Sequence, residues 1–325
     1  MSNLTCAIIE KETDMTKKIL LILVMAMAMP NHALTSSTQQ IKILRQPGQI
    51  SNMPLLYLTI DKFKSKAQAH GHNIEIVLQP IGTVSDGVFS MLAGNTDVIM
   101  GAVKPMLLAN EKNPRKLTLL SGSMSQSHSI VCNSDAINTV EHLPRARHIA
   151  MKTLGSAEHF LLQQLAKIFT GDHKAFDHKI VVLPRNQIPA ALKNQDVDCA
   201  IPGSPLDALL VKNKEATMLD TKKYNLVPAN THGLFTTKQW VEQNNTLVTI
   251  LIDSLNEAIE EINSNPVPAL LKFKSMDNSS DSVEDLLFTM EASDQRHSAD
   301  LTNILNTVSL MHQMGMIKNI DVPLQ

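Results

Sequence analysis

One structural plan is written twice in this chain, and that repetition constrains its fold more than any other feature. The segment IVLQPIGTVSDGVFSMLAGNTDVIMGAVKPMLLA begins at Ile76, and IVVLPRNQIPAALKNQDVDCAIPGSPLDALL begins at Ile180. Each opens on an apolar strand that stops at a proline (Pro80, Pro184) and runs through a short helix to an Asn and an Asp (Asn95 and Asp97, Asn194 and Asp198). A small-residue strand and a second proline (Pro105, Pro205) close each unit. Extended outward, 41–109 and 148–212 both read strand, helix, strand, helix, strand, helix. Strands alternating with helices make a parallel sheet covered on both faces. Two such α/β lobes leave a cleft between them, where function is to be sought.

Local signals place the elements. Ile41 to Leu44 is a short strand, and Pro54 starts a helix whose apolar face carries Leu55, Leu58, Phe63 and Ala67. In the second unit His148 to Lys152 is a strand, and Ser156 caps a helix bearing Phe160, Leu161, Leu165, Ile168 and Phe169 before Gly171 stops it. SGSMSQSHSIVCN, from Ser121, and VPANTHGLFTT, from Val227, are rich in small polar residues and bracket the second unit, as the two strands of a hinge would. The apolar residues of 247–262 and 301–311 recur at helical spacing, giving a helical C-terminal section packed on the first lobe. The expected division is a first lobe of 34–125 and 232–325, a second lobe of 126–231, and a leader at 1–33.

That leader is expected from Lys17 and Lys18, which precede the uncharged run Ile19 to Met29. The run is short for a membrane span and suits a secretory signal. Cleavage is expected after Ala33, with Ala28 as the alternative, and Met15 is a second possible start. An N-terminal membrane anchor is the competing reading. A formal net charge of −2 without Lys/Arg clusters argues against nucleic acid and against anionic membrane surfaces. Beyond Ala33 only Cys132 and Cys199 remain. Two buried free thiols are the favoured reading and a bridge the alternative.

PLLYLTIDKF from Pro54, LAGNTDVIMGAVKPMLLA from Leu92, IAMKTLGSAEHFLLQQL from Ile149, LPRNQIPAALKNQDVDCAIPGSP from Leu183 and MHQMGMIKN from Met311 carry a family resemblance by their order and spacing. The chain resembles the periplasmic solute-binding proteins that serve importers for nitrate, sulfonates, taurine, pyrimidines and thiamine precursors. The resemblance implies a bilobed periplasmic-binding-protein fold, capture of a small solute at the hinge, and delivery to a membrane permease driven by an ATPase. It implies no cofactor. Where many members carry an aromatic residue, Pro202-Gly203-Ser204-Pro205 stands here, and the cysteine-rich signature of the thiamine-precursor synthases is absent.

In open parallel sheets ligands bind beyond the carboxyl ends of the strands. That rule selects Gln46, Gly48 and Gln49; Gly82, Thr83 and Ser85; Gly101, Ala102 and Lys104; Thr153, Gly155 and Ser156; and Gly203 and Ser204. Ser123, His128 and His232 join them from the hinge passages. The backbone donors of Gly155, Ser156 and Ala157 would hold a negative group at a helix start, against the plainer reading of N-capping by Ser156. Lys104 would add charge to the site, against the plainer reading of a solvated lysine. Asp97 and Asp198 begin equivalent strands, away from the cleft, so turn or packing roles are expected. His70, His72, His173 and His178 lack carboxylate companions at a metal-ligand spacing and are read as surface residues. One tryptophan, two tyrosines and eight phenylalanines are few for stacking a heterocycle, which favours a small aliphatic acid. The expectation is a monomeric, exported, non-enzymatic binding protein for a sulfonate or carboxylate. The alternatives are a pyrimidine binder, a synthase-like enzyme needing Lys104 and His128, and a sensory module.

Overall fold

The computed structural model describes residues 38–113, 116–204, 206–228, 230–322 and 324. The expected leader and its cleavage point lie outside these residues, as does Pro205. From Gln39 onward the chain is one unit built on two sheets.

The first unit runs β1 (Gln39–Arg45), α1 (Met53–Ala69), β2 (Ile74–Pro80), α2 (Val84–Leu92), β3 (Val98–Ala102), α3 (Val103–Lys112) and β4 (Leu117–Gln126). The chain then builds β5 (Val131–Cys132), β6 (Ile149–Met151), α4 (Ala157–Thr170), β7 (Ile180–Val182), α5 (Ile188–Lys193), β8 (Cys199–Ile201), α6 (Leu206–Lys212) and β9 (Thr217–Met218). It returns through β10 (Asn230–Thr237), α7 (Lys238–Gln243), α8 (Asn245–Ser264), α9 (Val267–Asp277), α10 (Val283–Ala292), β11 (Arg296–His297) and α11 (Thr302–Gln313). Pro54 stands in the first turn of α1, where its missing N–H costs nothing, and Gly171 ends α4 in the left-handed conformation.

The sheets are mixed. The first has the order β11-β4-β10-β3-β1-β2 and the second β7-β6-β8-β5-β9. The repeated part is parallel, as the strand-helix alternation requires: β1 with β2 and β3, β6 with β7 and β8. The strands outside the repeat are antiparallel: β10 lies against β3 and β4, β11 against β4, and β5 against β8 and β9. β4 and β10 come from the two small-polar passages and pair from Leu117↔Thr237 to Gln126↔Asn230. At that last pair the chain leaves for the second sheet and returns from it.

Each sheet is covered on both faces by apolar clusters. On one side of the first sheet, Leu56, Ile60 and Phe63 of α1 pack with Leu251, Leu255 and Ala258 of α8. On the other, Val84 and Val88 of α2 gather with Val103, Met106, Val308 and Met311. Phe160 of α4 joins that second cluster, so the lobes touch through an apolar contact. Gly101 belongs to the packing: a Cβ there would stand 3.0 Å from the Val84 side chain. Asp97 and Asp198 act as packing residues, accepting bonds from the Lys42 and Arg147 amides, with an Arg147–Asp198 ion pair at 2.8 Å.

Cys132 and Cys199 are joined, which corrects the favoured reading of free thiols. They lie opposite each other on antiparallel β5 and β8, a register the sequence does not disclose. The link spans 67 residues of sequence, enough for closure of the unfolded chain to matter. Replacing both cysteines by alanine is expected to lower the unfolding free energy by about 2–4 kcal/mol. Urea denaturation of the oxidised protein and the double variant measures this, and equal stability would contradict it.

Candidate functional site

A cavity of about 390 Å³ opens where the strand ends of both sheets converge. Its first wall comes from the loops after β1 and β2 and the start of α3; its second comes from the loops after β6, β7 and β8. Gln126, His128, Asn230, Thr231 and His232 line it where the chain crosses between the sheets.

Each loop is held by local chemistry. The turn after β1 is fastened by Asp277 at the end of α9, whose side chain is only 1% exposed. Its carboxylate accepts from Arg45 Nη1 (2.8 Å), the Tyr57 hydroxyl (2.6 Å) and the Gly48 amide (2.9 Å). Burial, then the bond to Asp277, pushes the Tyr57 hydroxyl up to about 12. Gly48 has φ +74°, a conformation that costs other residues strain. After β2, the Thr83 hydroxyl accepts from the Asp86 amide and caps α2.

The start of α4 differs from the expected cradle. Ser156 caps the helix, its Oγ accepting from the His159 amide at 3.3 Å. Gly155 N–H already donates to His159 Nδ1 at 2.9 Å, and His159 Nε2 lies 3.0 Å from Asp177. The amides of Ser156 and Ala157, at the helix start, are beyond the reach of intrahelical acceptors.

Lys104 is no solvated lysine. It crosses the cleft, donating to the carbonyls of Gly155 (2.9 Å) and Ser156 (3.5 Å), with its ammonium 5.1 Å from the Phe160 ring centre. Burial lowers its pKa to about 8, with Glu158 opposing the shift. Arg185 donates to the Gly203 carbonyl at 3.2 Å. Its pKa is lowered by burial, against the fields of Asp207 and Glu158. With Lys152, these side chains give the cavity three cationic groups against the carboxylate of Glu158.

The histidines form a buried group at the back. His232 donates from Nε2 to the Asn230 side-chain oxygen at 2.8 Å, and burial holds its pKa down at about 3, with His128 and His297 adding to the shift. His297 accepts at Nε2 from the Gln295 amide and is lowered by burial to about 4. Nδ1 of His128, His232 and His297 has no partner among the described residues.

Of the seventeen residues selected from sequence, fifteen line the cavity: Gln46, Gly48, Gln49, Gly82, Thr83, Ser85, Ala102, Lys104, His128, Thr153, Gly155, Ser156, Gly203, Ser204 and His232. Gly101 and Ser123 do not; Gly101 packs on α2, and Ser123 is fully buried within β4. Sequence reasoning missed Arg185, Glu158, Lys152, Gln126 and Asn230. The carboxyl-end rule also finds Arg185, just beyond β7, when that strand is counted. Glu158 gave no signal, because an acid in a first helical turn is ordinarily a partner for the helix dipole.

No protein-family model and no curated protein matches the sequence. Solved structures do resemble it. A putative periplasmic sulfonate-binding protein of an ABC transporter from Methylobacillus flagellatus is 14% identical, with TM-score 0.66 over 89% of this chain and 92% of that one. The alkanesulfonate-binding protein of Xanthomonas axonopodis pv. citri, bound to MOPS, is 15% identical, with TM-score 0.64 over 88% and 98%. A Candida albicans protein described as having the generic periplasmic binding protein fold is 15% identical, with TM-score 0.61 over 89% and 96%. The chain has the periplasmic-binding-protein fold. At this identity the likeness speaks for the fold alone.

The low pKa values of His232 and His297 set a pH dependence. Above their ordinary value of ~6.5 both are neutral folded and unfolded. As pH falls below it the unfolded chain takes protons that the folded one refuses, so stability is lost, by up to about 2 kcal/mol for each at pH 5. His297→Gln is expected to reduce the loss between pH 7 and pH 5 in urea unfolding by about that amount. An unchanged pH dependence would contradict the assignment.

Proposed function

We propose that the chain is the extracytoplasmic solute-binding component of an ATP-driven importer and closes on a small organic anion of sulfonate or carboxylate type. The observation that carries this reading is the set of cationic groups, Lys104, Lys152 and Arg185, around a cavity where the strand ends of both sheets meet. The open start of α4 adds its dipole to theirs. The sulfonate-binding descriptions of two structural neighbours agree with such a solute. A flat heterocycle would need stacking faces, and Phe160 is the one phenyl ring among the lining residues.

In this reading residues 34–125 with 232–325 and residues 126–231 are the moving bodies, hinged where Gln126 pairs with Asn230. Lys104 to Gly155, Ser204 to the Thr289 carbonyl (3.5 Å) and the Lys212 ammonium over Phe288 (4.8 Å) join the two sides. A solute touching both walls favours the closed arrangement by its differential affinity, and that arrangement is what a permease recognises. Export by the N-terminal apolar run places the protein outside the cytoplasmic membrane. It acts as a monomer, without cofactor or covalent chemistry.

A thermal-shift screen of sulfonates, carboxylates, nitrate and pyrimidines tests the reading, since bound ligand raises the melting temperature by mass action. Small anions are expected to give the shifts, weakening above pH 8 as Lys104 loses its charge, and Lys104→Met is expected to reduce them. A shift with pyrimidines alone would contradict the proposal.

A further inference from the structure

We propose, resting on the anion-binding reading above, that His159 is a positioning residue for the cavity. As a neutral ring protonated on Nε2, it holds the Gly155 amide and so fixes the turn on which Lys104 closes.

Lys152, Thr153, Leu154 and Gly155, which follow β6, are all exposed and line the cavity. Gly155 has φ +77°, and apart from its chain neighbours nothing stands within 4 Å of where its Cβ would be, so packing does not hold this turn. Two side chains grip its backbone instead. His159 Nδ1 accepts from the Gly155 amide at 2.9 Å, and Lys104 donates to the Gly155 carbonyl, also at 2.9 Å. Lys104 reaches the turn from α3 across the cleft, whereas His159 stands on α4, directly behind it. The ring is buried and outside the cavity lining, so it acts on a solute only through Gly155. When the lobes part, the Lys104 contact is lost and the His159 bond keeps the turn in shape for the next solute.

The bonding pattern fixes the tautomer. A backbone N–H can only donate, so Nδ1 offers its lone pair and the proton of the neutral ring sits on Nε2. Asp177 accepts from that Nε2–H at 3.0 Å. Asp177 opens the short turn Asp177–Lys179 that leads into β7, so the ring ties the loop after β6 to the entry of the neighbouring strand. The opposite tautomer would set one N–H against another and release Gly155. A turn held ready before binding spares the solute the cost of ordering it. A ring that served only as packing would be replaced equally well by any side chain filling its space.

Asparagine places an oxygen near the Nδ1 position and glutamine places its amide near Nε2, so two substitutions separate the two bonds. Calorimetric titration of the full chain with propane-1-sulfonate and with butanoate compares the parent, His159→Asn and His159→Gln. His159→Gln is expected to weaken binding roughly tenfold, and His159→Asn to stay within about twofold of the parent. Nitrogen NMR of the parent, which needs no variant to fold, is expected to show His159 protonated on Nε2 alone. Unchanged binding in His159→Gln, an equal loss in both variants, or a proton on Nδ1 would overturn this inference and leave the anion-binding reading standing. Binding of neither compound to a parent with a normal melting transition would overturn both.

Discussion

β4 and β10 pair along their whole length, and the chain crosses to the second sheet and returns from it at the same end of that ladder, the Gln126↔Asn230 pair. Because β1, β2 and β3 are parallel, their carboxyl ends lie together on one edge of the first sheet; β6, β7 and β8 do the same on the second. A paired crossing brings these two edges face to face. Short loops with free helix starts then line one cavity, without any further device to assemble it. All ten residues of β4 are buried, although β11 flanks it only at Met124 and Ser125.

Around that frame, charge is arranged unevenly. The buried Asp277 carboxylate is fully used in holding Arg45, Tyr57 and the Gly48 turn, so the loop after β1 presents no free charge of that cluster to the cavity. Removing one member of such a buried pair would strand its partner, whereas the pair itself adds less to stability than its short distances suggest. Across the cavity Lys104, Arg185 and Lys152 stand with Glu158 around the start of α4. Lys104 crosses from the first wall to do so, which makes it a contact between the walls as well as a charge.

Much of this was legible in the sequence because the repeated unit is punctuated by residues whose backbone preferences are strong. The helix starting at Pro54, the Ser156 cap, the Gly171 stop and the helix over Ile188–Lys193 stand where propensity places them. The carboxyl-end rule, applied to those strands, reaches most of the cavity lining. What escaped depends on partners distant in sequence. The two small-polar passages read as hinge strands, yet the length of the β4–β10 ladder shows only in their pairing. The Cys132–Cys199 bond requires the β5/β8 register. Gly101 and Ser123 sit in the right strands yet lie within the packing, where local pattern does not separate lining from core. Lys104 reads as a surface residue until the Gly155 carbonyl appears opposite it.

Crystals grown with a bromoalkanesulfonate and measured at the bromine absorption edge would locate the anion site proposed between the two sheets. One anomalous peak is expected inside the cavity, with the sulfonate at the start of α4 within reach of Arg185 and Lys104. A bound sulfonate located anywhere else on the molecule would contradict it.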